Sequence, residues 1–172
     1  MAARSDQGRP DESTRAPSEA ELLTCCASRR WARAVAAGHH DDLAALRAAS
    51  ARALAGLGWD DVLEALAAHP RIGDRPAGAG REARWSRGEQ SGMDAAAGEI
   101  RREMAESNVA YEERFGHVFL ICATGRSAAE LLAELRARLD HDVETERRVV
   151  RTELAKIVDL RLARLTGFLR DR

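Results

Sequence analysis

One run in this sequence has the character of a β-strand, Val118-Phe119-Leu120-Ile121-Cys122-Ala123, and no other stretch alternates so as to pair with it. A solitary strand has no sheet to join, so helices must carry the fold, with this run crossing the core in extended form. Its backbone N–H and C=O groups then need partners from elsewhere, and a bound polar ligand is one such partner. Composition agrees. Hydrophobic residues make up 45% and aromatics only 4%, so the core is expected to be Ala, Leu and Val, which suits closely packed helices. The expectation is an all-α, single-domain multi-helix bundle over residues 18–172 with a short extended segment near 118–123. Residues 1–17 are polar, carry two prolines and lack periodicity, and read as a disordered tail.

Local punctuation divides the rest. Ser18-Glu19-Ala20-Glu21 has the form of a capping box and opens a helix through Leu22, Leu23 and Cys26. Ser28 caps a second, short helix carrying Trp31, Ala34 and Val35, which Gly38 closes. A third is expected from Asp41 to Leu57, burying Leu43, Leu46, Leu54 and Leu57 and ending at Gly58. A fourth starts near Asp60, runs through Val62, Leu63 and Leu66, and stops at His69-Pro70. Residues 73–84 hold Gly, Pro and Arg without periodicity, a connection long enough to suggest a functional loop or lid. A long helix from about Met93 to Phe115 ends at Gly116. Ser127-Ala128-Ala129-Glu130 is a second capping box, for a helix through Leu131, Leu132, Leu135 and Leu139, and the last helix is expected from about Asp142 to Leu169.

Charge and cysteine usage exclude several classes. The formal net charge is -1 with 32% charged residues, so no global basic field for nucleic acid exists. No stretch approaches a membrane span, the first residues lack the apolar run of a signal peptide, and Arg170-Asp171-Arg172 is not a peroxisomal address. Cys25, Cys26 and Cys122 have no metal-site spacing and read as buried free thiols in a reducing, cytoplasmic compartment. His39-His40-Asp41-Asp42 invites a metal reading, but adjacent histidines rarely chelate one ion and the aspartates suit the first turn of a helix.

Three features carry possible chemistry. His69 stands where Pro70 halts a helix, and the residue before proline is pushed out of helical geometry. The imidazole is therefore expected to point away from the preceding helix, either as a structural histidine or as an acid/base with a pKa near neutrality. Ser86-Arg87-Gly88-Glu89-Gln90 reads as another capping box, although Gln90 adds an amide able to read amide or urea edges. On the last helix Val150, Leu154, Ile157, Leu165 and Phe168 share a face whose middle is Arg161. That guanidinium either snorkels, meets an internal carboxylate such as Glu64 or Glu89, or binds an anionic ligand. No P-loop, GxGxxG, HExxH or nucleophile elbow accompanies them.

These segments stand in order: His69-Pro70-Arg71-Ile72-Gly73, then Ser86-x-x-Glu89-Gln90-x-Gly92, then Asn108-x-x-Tyr111-x-x-Arg114-Phe115-Gly116 running into Phe119-Leu120-Ile121-Cys122-Ala123. Together they resemble the 2-oxo-4-hydroxy-4-carboxy-5-ureidoimidazoline (OHCU) decarboxylases of urate breakdown. Glu153-x-x-Lys156-Ile157-x-x-Leu160-Arg161-Leu162 is similar to that family's closing helix, and Cys25-Cys26-Ala27-Ser28-Arg29-Arg30-Trp31 resembles its bacterial form. The resemblance implies an all-helical homodimer, without cofactor or metal, that converts the anionic ureidoimidazoline OHCU to (S)-allantoin and CO2. It implies His69 and Glu89 as catalytic acid/base groups. Pro70, Ser86, Arg87, Gly88, Glu89, Gln90, the Phe119, Leu120, Ile121, Cys122 and Ala123 backbone, and Arg161 would bind substrate. The competing readings are a helical interaction module without enzymatic activity and a metal hydrolase built on His39, His40 and Asp41.

Overall fold

The computed structural model describes residues 16–73 and 90–167, with the side chains of 90–96 excepted. Among the described residues there are seven α-helices and no β-strand. They are α1 (Glu19–Cys25), α2 (Arg29–Ala36), α3 (Leu43–Ala55), α4 (Trp59–Ala67), α5 (Gln90–Phe115), α6 (Ala128–Arg138) and α7 (Val143–Leu165). The fold is all-α. The expected tail, apart from its last two residues, and the loop 74–84 lie outside the described residues, as do Phe168 and Leu169.

Local chemistry sets most helix ends. Ser18 and Glu21 form the reciprocal capping box on α1, and Ser127 and Glu130 form the one on α6. Ser28 caps α2 through Trp31 N–H at 3.3 Å. Asp42 caps α3 through Ala45 N–H at 2.7 Å. Each such cap is worth about 1 kcal/mol. Gly116 adopts φ +76°, a conformation that disfavours a side chain, and its N–H closes α5 on the Glu112 carbonyl at 2.8 Å. Several termini differ from expectation: α3 ends at Ala55 with Gly56 as its cap while Gly58 caps the start of α4, α5 begins at Gln90 ahead of Met93, and α7 ends at Leu165 short of Leu169.

The chain clusters into two compact units, Met1–Gly56 with Val158–Arg172, and Leu57–Ile157. In the first, Leu22, Trp31, Val35, Leu46, Val158 and Leu162 are buried, and the Trp31 indole N–H reaches Ser50 Oγ at 3.2 Å. The α2 face differs by one position from the expected one, since Ala32 is buried and Ala34 is exposed. Leu43 and Leu54, expected in the core, are half-buried.

In the second unit Met104 and Tyr111 of α5, Phe119 and Ile121 of the extended run, and Leu131, Leu132 and Leu135 of α6 form one apolar cluster. Along α7 the buried stripe is Val150, Leu154, Val158 and Leu162, a strict four-residue spacing. Ile157, Arg161 and Leu165 are half-buried and flank it, so Arg161 is at the margin of the apolar face and not its middle.

Candidate active site

The last turn of α4 delivers His69. Its N–H bonds to the Leu66 carbonyl at 2.9 Å, closing the helix before Pro70. The imidazole does not point away from the helix as expected. It folds back onto it, and Nδ1 lies 2.9 Å from the Ala65 carbonyl. A carbonyl only accepts, so Nδ1 carries the hydrogen and Nε2 keeps the lone pair in the neutral ring. Nε2 is enclosed from solvent, whereas Pro70 is exposed.

The loop after His69 is tied to α5 from two successive turns. Arg71 donates to Glu112 in a fork, Nε to Oε1 and Nη2 to Oε2, both at 2.6 Å. Asn108, one turn earlier, donates from Nδ2 to the Ile72 carbonyl at 2.8 Å. The Arg71 hydrogen bond holds the Glu112 carboxyl below its ordinary range. Gly73 then turns at φ +93° against Met104 of α5, where a Cβ would meet the Met104 Cγ at 3.1 Å.

The run from Phe119 to Ala123 crosses the core without regular secondary structure. Phe119, Leu120 and Ile121 are buried, and Cys122 and Ala123 are half-buried. Two of its backbone groups find side-chain partners within the protein. Arg138 Nη1 donates to the Leu120 carbonyl at 2.8 Å, and the Cys122 N–H donates to Glu153 Oε2 at 2.8 Å. Arg138 also stacks over Phe119, with its guanidinium carbon 4.5 Å from the ring centroid.

Arg138 is itself locked. Its Nε donates to Glu146 Oε1 at 2.9 Å, its Nη2 donates to the same oxygen, and the Tyr111 hydroxyl makes a short hydrogen bond there too. His141 Nδ1 meets the other oxygen at 2.8 Å. Burial alone raises the Glu146 carboxyl, but hydrogen bonds from Arg138 and Tyr111 and the Arg138 charge outweigh it and hold it low. Burial, and then the bond to Glu146, push the Tyr111 phenol far above its ordinary value. For Glu153 the burial penalty is likewise outweighed, by Lys156 at 2.6 Å and the Cys122 N–H.

Arg161 belongs to the first unit, where Nη1 donates to the Cys25 carbonyl at 3.1 Å. Ser86, Arg87, Gly88 and Glu89 lie outside the described residues, and Gln90 is the first residue of α5. His39 pairs with Asp41 at 3.1 Å on the surface, while His40 Nε2 bonds to the Val35 carbonyl at 2.8 Å. Among the described residues no three His, Cys, Asp or Glu side chains come together as a metal site. No described helix is long and apolar enough to cross a membrane.

The sequence profile of OHCU decarboxylase matches residues 11–163. The chain belongs to the OHCU decarboxylase family. It is 37% identical over 97 residues to the 2-oxo-4-hydroxy-4-carboxy-5-ureidoimidazoline decarboxylase of Amia calva, covering 55% of each chain. It is 30% identical over 119 residues to the protein of the same name from Haloferax volcanii, covering 69% of each. Over 108 residues it is 41% identical to the uric acid degradation bifunctional protein TTL of Arabidopsis thaliana, covering 61% of this chain and 33% of that one. The chain thus spans about a third of the plant protein and about half of the Amia protein. A crystal structure of OHCU decarboxylase in the presence of (S)-allantoin superposes with a TM-score of 0.73 at 30% identity, covering 88% of this chain and 99% of that one. A crystal structure of (S)-allantoin synthase, at 23% identity and a TM-score of 0.63, shares the fold.

Three charged residues that hold the 119–123 run, Arg138, Glu146 and Glu153, were not among the residues expected to matter. Arg138 falls seven residues after Leu131 and three after Leu135, on the buried face of α6. Glu146, Val150 and Glu153 likewise share the buried side of α7. The spacing that drew attention to Arg161 was therefore available for all three.

Proposed function

We propose that this protein decarboxylates OHCU to (S)-allantoin in urate catabolism, without a cofactor, as a cytoplasmic homodimer. The observation that carries the reading is His69, whose Nδ1 bond to the Ala65 carbonyl fixes the tautomer and puts the basic lone pair on Nε2, which is enclosed from solvent. The family match over residues 11–163 supports the substrate class. In the reaction the bond from ring carbon to carboxylate breaks, and its electron pair is taken up by the ring. The ring hydroxyl gives up its proton as its carbon becomes a carbonyl, the neighbouring ring carbon receives a proton on one face, and one proton from solvent neutralises the charge left when CO2 departs.

His69 and Glu89 move those protons in this reading, and reprotonation from one side sets the (S) product. Gln90 and the backbone around Ile121 hold the ring and ureido edges, with Pro70, Ser86, Arg87 and Gly88 lining the remainder. Positioning of the carboxylate out of the ring plane supplies the rest of the acceleration. Arg161 holds anionic charge away from the departing carboxylate, because gripping that group would stabilise the ground state instead.

The test is fresh OHCU, generated from urate and added to chelator-treated protein, with the optical activity of the product followed against a protein-free blank. The wild type should give (S)-allantoin faster than the blank. His69→Gln should fall to the blank rate and give racemic product while keeping its circular dichroism spectrum. Near-normal turnover by that variant would exclude His69 as the proton handler.

A further inference from the structure

A segment that crosses a core without a sheet must have its backbone groups satisfied one at a time. Here the Leu120 carbonyl takes a cation, Arg138, and the Cys122 N–H gives to an anion, Glu153, each at 2.8 Å. Arg138 on α6 and Glu153 on α7 hold the chain immediately before and after Ile121.

Both grips are rigid. Arg138 is 1% exposed and held by Glu146, and Glu153 is 6% exposed with its second oxygen on Lys156. Burying charges for this purpose costs desolvation that an apolar pair would avoid, so their value here lies in fixing position.

We propose that Glu153, through the Cys122 N–H, and Arg138, through the Leu120 carbonyl, are positioning residues that set the 119–123 backbone against the substrate. The inference rests on the reading above, in which that backbone binds OHCU. Neither residue touches the substrate. Each acts through a main-chain group, as outer partners act through the ligands they orient.

Two substitutions separate positioning from general stability. Glu153→Gln keeps an oxygen able to accept from Cys122 but loses the charge and the Lys156 pair. Glu153→Leu loses the acceptor as well. The leucine variant should lose about ten- to a hundredfold in kcat/KM, through KM and with weaker (S)-allantoin binding, while the glutamine variant stays within about threefold of wild type. Should the leucine variant not fold, Glu153→Asp, which withdraws the carboxylate by one methylene, carries the same expectation of loss. Equal kcat/KM in the glutamine variant and the acceptor-deficient one, per folded protein, overturns the inference. A wild-type protein inert toward OHCU removes the functional reading and this inference with it. An active wild type with indistinguishable variants removes this inference alone.

Discussion

The guanidinium of Arg138 and the carboxylate of Glu146 form an ion pair closed to solvent, with side-chain exposures of 1% and 0%. Breaking such a pair from one side leaves a buried charge, whereas replacing both partners removes the problem. Arg138→Met should therefore cost about 3–5 kcal/mol, and the Arg138→Met, Glu146→Leu double variant should recover part of that loss. Urea unfolding of the two single variants and the double variant gives the coupling directly. Simple additivity would contradict the view that each charge is tolerated only because of the other.

Arg161 can be tested separately for the anion-binding role proposed for it. Its bond to the Cys25 carbonyl contributes about 1 kcal/mol, so Arg161→Ala should lower the melting temperature only slightly. The same variant should raise KM for OHCU, and Arg161→Lys should restore it incompletely, because an ammonium lacks the fork that matches a delocalised anion. A lowered melting temperature with KM unchanged would make Arg161 a tie within its own unit and nothing more.

Much of the fold could be read because its signals are local. Ser18 with Glu21 and Ser127 with Glu130 satisfy each other within one turn, and Gly116 needs only its own φ to stop α5. The candidate site is less legible because its partners are distant in sequence. Nothing near Cys122 announces that Glu153 accepts its N–H, and in a chain with 32% charged residues Arg138 and Glu146 look like any solvated pair. The direction of His69 was missed for another reason. Proline restricts the backbone before it but not χ1, and a carbonyl of the helix's own last turn is an acceptor within reach. On α7, apolar residues at 157 and 165 suggested a heptad-like face, while strict four-residue spacing through Val158 is what burial selects.

Stability should fall on acidification in two stages. The His117 imidazole is held below its ordinary value, chiefly by burial. Below about pH 6.5 the unfolded chain therefore binds a proton that the folded chain does not, and stability declines from there. Glu146 acts lower. Its folded value lies below the ordinary one of about 4.3, so its contribution is present above that pH and is lost as pH falls through the folded value. Urea midpoints taken from about pH 8 down to about pH 3 should show both slopes. His117→Gln should flatten the first and Glu146→Gln the second, and a first slope unchanged in the His117 variant would assign it to another group.

Asn108 offers the sharpest test of how the histidine loop is held. Its side chain is 2% exposed, Nδ2 donates to the Ile72 carbonyl at 2.8 Å, and Oδ1 is buried without a hydrogen-bond partner among the described residues. Asn108→Leu removes the donor and leaves the Ile72 carbonyl unsatisfied, which should cost about 1–3 kcal/mol. Asn108→Asp has the same shape but sets a buried carboxylate against that carbonyl, so it should be more destabilising than leucine at neutral pH and recover as the acid protonates. Because Ile72 is three residues from His69, both variants should also lower kcat more than they raise KM, and the Arg71→Ala variant should do so more mildly, its pair with Glu112 being exposed. Thermal unfolding and OHCU turnover measured on the same preparations check both effects. A leucine variant as stable and as active as the wild type would mean that the loop, and His69 with it, is positioned by something other than this amide.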